Sequence, residues 1–207
     1  EALLARYVLI VEGRTEFDAV PAAARRLNDL NPGMYKTLEA LGVAVIDAQS
    51  DAQVAPLGQF FSGLGKTVFA VFDKQEPVAS QAIKEAVHHP FESTEMGFEN
   101  VVLHHAAESA LRRYALSLVS EGNWPQHLET MTPTAASTLE QLRQGLWQFF
   151  SWAKGTGDAG DLLGTCSEAE MPQYLKSTLL AIRVVVQPPP PLPPPPIPLP
   201  ADDDDEL

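Results

Sequence analysis

Two short runs constrain this chain more than anything else in it: Tyr7-Val8-Leu9-Ile10-Val11-Glu12 and, further along, Thr67-Val68-Phe69-Ala70-Val71-Phe72-Asp73. Each is an unbroken apolar stretch rich in β-branched residues, closed by a carboxylate and turn residues. A strand without polar alternation is buried on both faces, which places it in a parallel sheet covered by helices. In an open sheet of that kind ligands bind beyond the carboxyl ends of the strands, so Glu12 and Asp73 are expected at one edge of the domain. Two acids placed there suit a metal ion.

The intervening segments fill in an alternating pattern. The first strand spans about 6–12, and a helix follows from Thr15, whose hydroxyl is the expected N-cap. Phe17, Val20, Ala24 and Leu27 give that helix an apolar stripe. Pro21 argues for a kink or a later start, because a proline beyond the first turn removes a hydrogen bond and costs roughly 3 kcal/mol. A second strand is expected over 42–47, a helix over 54–64 stopped by Gly63 and Gly65, and the third strand over 67–72. Next come a helix over 78–87, a short strand over 88–91 and a helix opening at Gly97-Phe98-Glu99. Right-handed crossovers joining these units predict an α/β fold with helices on both faces of a parallel sheet.

From 105 to 165 only helical spacing recurs, in Leu111, Tyr114 and Leu118 and again in Leu139, Leu142, Leu146, Phe149 and Phe150. This predicts a small all-helical insertion. Lys154 to Gly160 reads as a loop whose glycines lack the order a P-loop requires. Pro172 opens a last helix with Leu175, Leu179, Ile182 and Val186 on one side. From Pro188 the chain is proline-rich, then acidic, and is expected to be an extended tail that spaces or docks to an aromatic groove. The division expected is a core over 1–105, a helical subdomain over 106–165, a returning helix over 166–187 and a tail over 188–207.

Composition narrows the function. With 45% hydrophobic and 20% charged residues the chain is globular, and no run of about 18 apolar residues offers a membrane span. The opening residues carry no signal-peptide pattern, and the chain is read as part of a longer protein. The single cysteine, Cys166, excludes an internal disulfide and a cysteine-based zinc site, in keeping with a cytoplasmic location. A net charge of −13 argues against a general polyanion surface. Five of those negative charges lie in the terminal Asp202–Glu206 run, and carboxylates filled by divalent cations no longer repel phosphate.

Phosphoryl transfer with metal ions needs carboxylates that hold one or two Mg²⁺ between them. Glu12, Glu16 and Asp73 meet that need, and Glu92, Glu95 or Glu99, after the fourth strand, is placed to complete the set. Each acid also has a plainer reading as a solvated strand end or a first-turn residue. Asp47 and Asp51, after the second strand, are candidate ligands whose plainer reading is as turn formers. The pairs His88-His89 and His104-His105 are adjacent in sequence, so neither sets two imidazoles on one helical face, and they are left out of the metal set.

Val8-Leu9-Ile10-Val11-Glu12-Gly13-Arg14-Thr15-Glu16-Phe17-Asp18 resembles the first motif of Toprim domains. With Phe69-Ala70-Val71-Phe72-Asp73-Lys74-Gln75 and Glu95-Met96-Gly97-Phe98-Glu99-Asn100 it is most similar to the OLD (overcoming lysogenization defect) nucleases, class 2-like. The resemblance covers about 5–105 and, more weakly, 170–186. It implies a Toprim, Rossmann-like core and a DNA endonuclease or nickase using Mg²⁺ or Mn²⁺, with two ions. Glu12, Glu16, Asp73, Glu95 and Glu99 would be the metal ligands, Glu12 also relaying a proton. It further implies an ABC-type ATPase region preceding this one, ATP dependence of the full-length protein and homodimerisation through that protein. A late-helix lysine assists catalysis in that family, and Lys176 is the position that suits it, with a surface lysine as the plainer reading. The usual Asp-x-Asp of the third strand is here Asp73-Lys74-Gln75, which removes one acid. The rival readings are a primase-like polymerase using the same acids, a catalytically degenerate Toprim that only binds partners, and a receiver-like regulatory domain.

Overall fold

The computed structural model describes residues 2–153 and 158–188. A four-stranded parallel sheet of β1 (Tyr7–Val11), β2 (Val43–Asp47), β3 (Thr67–Phe72) and β4 (His89–Glu92) has the order β2-β1-β3-β4. The registers Val11↔Asp47 and Val11↔Val71 bring the ends of β2, β1 and β3 level. Helices α1 (Arg14–Leu30), α2 (Asp51–Gly63) and α3 (Pro77–Ala86) make the crossovers. They are followed by α4 (Phe98–His105), α5 (Glu108–Ser120), a 3₁₀ segment (Gln126–Met131), α6 (Leu139–Trp152), α7 (Asp158–Thr165) and α8 (Gln173–Val186). Among the described residues no helix is long and apolar enough to cross a membrane.

The unbroken apolar runs are explained by burial on both faces. Leu9, Val11, Phe69 and Val71 pack toward α1, α4 and the later helices, while Val8, Ile10, Val68, Ala70 and Phe72 pack toward α2 and α3. Successive residues of a strand point to opposite faces, so both sets are apolar and no alternation is visible. The later helices do not form a core of their own. Leu111, Leu146, Leu162 and Ile182 belong to the same apolar cluster as Leu9 and Phe69.

Three local expectations are corrected. Helix α1 starts at Arg14 with Gly13 as N-cap, so Thr15 lies inside its first turn and does not cap it. The helix also runs through Pro21. Ala19, Val20, Ala23 and Ala24 are all fully buried around that proline, and burial at roughly 25 cal/mol per Å² outweighs one lost hydrogen bond. The loop expected over 154–160 is corrected at its end. Residues 154–157 lie outside the described residues, and Asp158, Ala159 and Gly160 already belong to α7. A Cβ on Gly160 would stand 3.3 Å from both the Ala22 Cβ and the Asp18 carbonyl oxygen, so this glycine serves the close approach of α7 to α1. The expected 188–207 tail lies outside the described residues beyond Pro188.

A second close approach yields a stability prediction. A Cβ on Gly58 in α2 would come within 2.7 Å of Val87 Cγ1 and 3.0 Å of the Ala86 carbonyl oxygen. Backbone cannot swing aside as a side chain can. Gly58→Val is therefore expected to destabilise the protein by about 2 kcal/mol, measured by urea unfolding; an unchanged midpoint would show that α2 and α3 move apart freely.

Candidate metal centre

The chain reverses its lateral direction between β1 and β3, because the β1–β2 crossover goes to one side and the β2–β3 crossover returns past β1. A crevice opens at the carboxyl ends of strands where this happens. A cavity of about 440 Å³ lies there, lined by five carboxylates: Glu12, Glu16, Asp47, Asp73 and Glu99. They come from the end of β1, the first turn of α1, the end of β2, the end of β3 and the first turn of α4.

Each acid is held differently. Glu12 Oε2 accepts from the Asp73 backbone N–H at 3.1 Å and from Gln75 Nε2 at 3.0 Å. Burial raises its pKa and those two bonds oppose the rise, while the charge of Asp51 adds to it. Glu16 is only 5% exposed. Burial first, then the charges of Asp73, Glu12 and Glu99, push its pKa up to about 8. A Cβ at Gly13 would lie 3.3 Å from Glu16 Oε2, so the bare turn leaves room for this side chain. Glu99 Oε1 accepts from Thr15 Oγ1 at 2.9 Å, which ties α4 to α1 across the cavity. Asp47 Oδ1 accepts from the Gln49 N–H at 2.7 Å in a local turn, as expected, and also lines the cavity. Asp51 opens α2 and acts on Glu12 through its charge.

The remaining sequence candidates lie elsewhere. Glu92 is engaged by Lys84 Nζ at 2.7 Å, Ser80 Oγ at 2.7 Å and the Gln75 N–H at 3.1 Å. Burial works against its charge, but these donors outweigh it and hold its pKa below the usual range. Glu95 faces His104 Nδ1 at 3.2 Å and His105 Nε2 at 2.9 Å and does not line the cavity. Lys176 Nζ donates to the Glu168 carbonyl oxygen at 3.2 Å and also lies outside it.

Two groups escaped sequence reasoning. Thr15, expected to cap a helix, instead binds Glu99. Gln75, expected only to mark a missing acid, donates to Glu12. Its spacing of two from Asp73 was the available clue, since that period returns an extended chain to the same side. Tyr174 adds a structural tie, its hydroxyl donating to the Phe91 carbonyl oxygen at 2.7 Å and docking α8 on β4.

The donor set fits a hard divalent cation. Carboxylate oxygens are the ligands that Mg²⁺ and Mn²⁺ prefer, and the buried Glu16 beside three other acids is electrostatic stress that a dication relieves. Among the described residues no three His, Cys, Asp or Glu side chains are already disposed as a closed ligand group. The fit thus rests on donor chemistry and charge. A larger neighbouring cavity of about 540 Å³ beside β2 shares Arg14 with this one. Its arginines are occupied, Arg14 by Asp18 and Arg25 by Glu39, each at 3.0 Å.

Residues 3–74 match the family described as Overcoming lysogenization defect protein-like, TOPRIM domain. The fold is similar to the solved C-terminal region of the Burkholderia pseudomallei OLD protein, with TM-score 0.62 and 18% identity over 88% of this chain and 99% of that one. It is also similar to the C-terminal region of the Xanthomonas campestris pv. campestris OLD protein, with TM-score 0.61 and 17% identity over 88% of this chain and 96% of that one. No curated protein sequence matches this chain.

Proposed function

We propose that the five-acid cavity, in a chain whose residues 3–74 match the OLD-like Toprim family, is the centre of a divalent-metal-dependent DNA nuclease that hydrolyses phosphodiester bonds. The observation that carries this reading is the convergence of Glu12, Glu16, Asp73 and Glu99 on one cavity at the sheet's switch point. In a protein with a net charge of −13, a buried Glu16 pushed up to about 8 by desolvation first and by the charges of Asp73, Glu12 and Glu99 second is a liability without a compensating function.

Glu16, Asp73 and Glu99 would hold one or two Mg²⁺ or Mn²⁺ ions, with Glu12 sharing a ligand role. When bound, such ions polarise the phosphate and lower the pKa of the attacking water. Glu12 stands at the mouth of β1 with one oxygen fixed by two N–H donors. It would also take up and pass on a proton during attack. Thr15 keeps Glu99 turned inward. Glu92, Glu95 and Lys176 take no direct part, being engaged by Lys84, by His104 and His105, and by Glu168 respectively. The similarity to C-terminal regions of OLD proteins supports a place at the C-terminal side of a longer protein.

The test is incubation of supercoiled and linear DNA with this chain and Mg²⁺, Mn²⁺ or EDTA. Nicking or cutting with either ion and none with EDTA is expected. Absence of cleavage with both ions would move the reading to a degenerate, partner-binding Toprim.

A further inference from the structure

The segment after β3 is held by its neighbours through three successive backbone donors. The Asp73 N–H reaches Glu12 Oε2 at 3.1 Å, the Lys74 N–H reaches the Glu95 carbonyl oxygen at 2.9 Å, and the Gln75 N–H reaches Glu92 Oε1 at 3.1 Å. Gln75 is the residue that joins two of these partners. Its backbone is anchored to Glu92, which Lys84 and Ser80 hold in turn, and its side-chain Nε2 donates to Glu12 Oε2 at 3.0 Å. Both donors to Glu12 fall on the same oxygen, so Oε1 receives neither.

We propose that Gln75 is a positioning residue that locks the Glu12 carboxylate, through Oε2, in the orientation from which its other oxygen addresses a divalent cation in the cavity. This inference rests on the metal-dependent reading given above. Two N–H donors on one oxygen restrain the side-chain rotation a glutamate otherwise keeps, and loss of a partner that orients a ligating carboxylate typically weakens metal binding by roughly 10- to 100-fold. An acid at position 75 would reverse the interaction, setting a second negative charge 3.0 Å from Glu12 where a neutral donor now stands. The amide supplies orientation without adding charge to a cavity that already holds five carboxylates. The chain Lys84–Glu92–Gln75–Glu12 thus runs from α3 to the cavity.

The experiment is Mn²⁺ titration of the wild type, Gln75→Leu and Gln75→Ala, with free Mn²⁺ read by electron paramagnetic resonance and folding read by far-UV circular dichroism. Both variants are expected to keep the wild-type spectrum and to bind Mn²⁺ roughly 10- to 100-fold more weakly. DNA nicking should recover toward the wild-type rate at saturating Mn²⁺, a response that mere loosening of the loop would not produce. Wild-type affinity in the variants would overturn the positioning role while leaving the nuclease reading intact. A wild type that binds no Mn²⁺ would overturn both. Loss of the folded spectrum in both variants would also overturn it, by making Gln75 a folding residue.

Discussion

Asp73→Asn is expected to reduce DNA cleavage by at least roughly 100-fold while leaving the protein folded. Asp73 stands one residue past β3, and its backbone N–H reaches Glu12 at the end of the neighbouring strand β1. Its charge is the largest single contribution that any neighbouring side chain makes to the raised pKa of Glu16, and it also acts on Tyr174. The carboxylate is therefore felt by the most buried acid of the cavity and by the tyrosine that docks α8. Asparagine keeps the size of the side chain and the backbone N–H that holds Glu12 at 3.1 Å. It removes only the charge and one oxygen donor. Plasmid nicking with Mg²⁺ and Mn²⁺, run beside a thermal melt, separates the two effects. Full cleavage by a folded Asp73→Asn protein would remove this residue from the reaction.

The second large effect has opposite signs in stability and activity. Glu16 has an ordinary carboxyl pKa in the unfolded chain and a pKa of about 8 in the folded, metal-free protein. The folded state therefore favours the protonated form. The stability this confers is complete below the unfolded value near 4.5 and is lost as pH rises through about 8. At roughly 1.4 kcal/mol per pKa unit the loss is on the order of a few kcal/mol. Glu16→Gln mimics the neutral form at every pH. In EDTA the melting temperature of the wild type should fall between pH 5 and pH 9 relative to that of Glu16→Gln, so that the variant is the more stable protein at the alkaline end. Cleavage by the same variant should drop by at least roughly 100-fold, because an amide brings no charge to a cation. Parallel melting curves across that range would show that Glu16 ionises in place without strain. A site kept at the expense of stability is the pattern expected of a functional centre.

The strands and the two acids that close them were legible because one physical requirement writes both. A strand buried on two faces must be apolar throughout, as Val8 to Val11 and Val68 to Phe72 are, and the first charged residue after it marks where the chain leaves the core. Glu12 and Asp73 are those residues. Which of Glu92, Glu95 and Glu99 faces inward was not legible. They follow one another closely in sequence, and the choice is made by partners on other elements: Lys84 and Ser80 draw Glu92 away, His104 and His105 draw Glu95, and Thr15 draws Glu99 in. Pro21 misled for a related reason. Local propensity argues for a break, but the packing of α7 on α1, made close by Gly160, and the burial of Val20 and Ala24 decide the outcome. Gln75 was read as an absence because comparison with an Asp-x-Asp pattern registers the lost acid and not the gained donor.

The net charge of −13 weighed against nucleic acid on composition alone. Within the described residues the acids are not spread evenly, since five meet at one cavity. Local neutralisation there changes the balance most where a phosphate would approach. The most direct test of the account is a calorimetric titration of MgCl₂ and MnCl₂ into the wild-type chain and into Asp73→Asn at pH 8. Saturable binding of at least one of these ions to the wild type, lost or greatly weakened in the variant, is the predicted result. No saturable binding, or binding equally tight in both proteins, would contradict a metal centre built on Glu12, Glu16, Asp73 and Glu99.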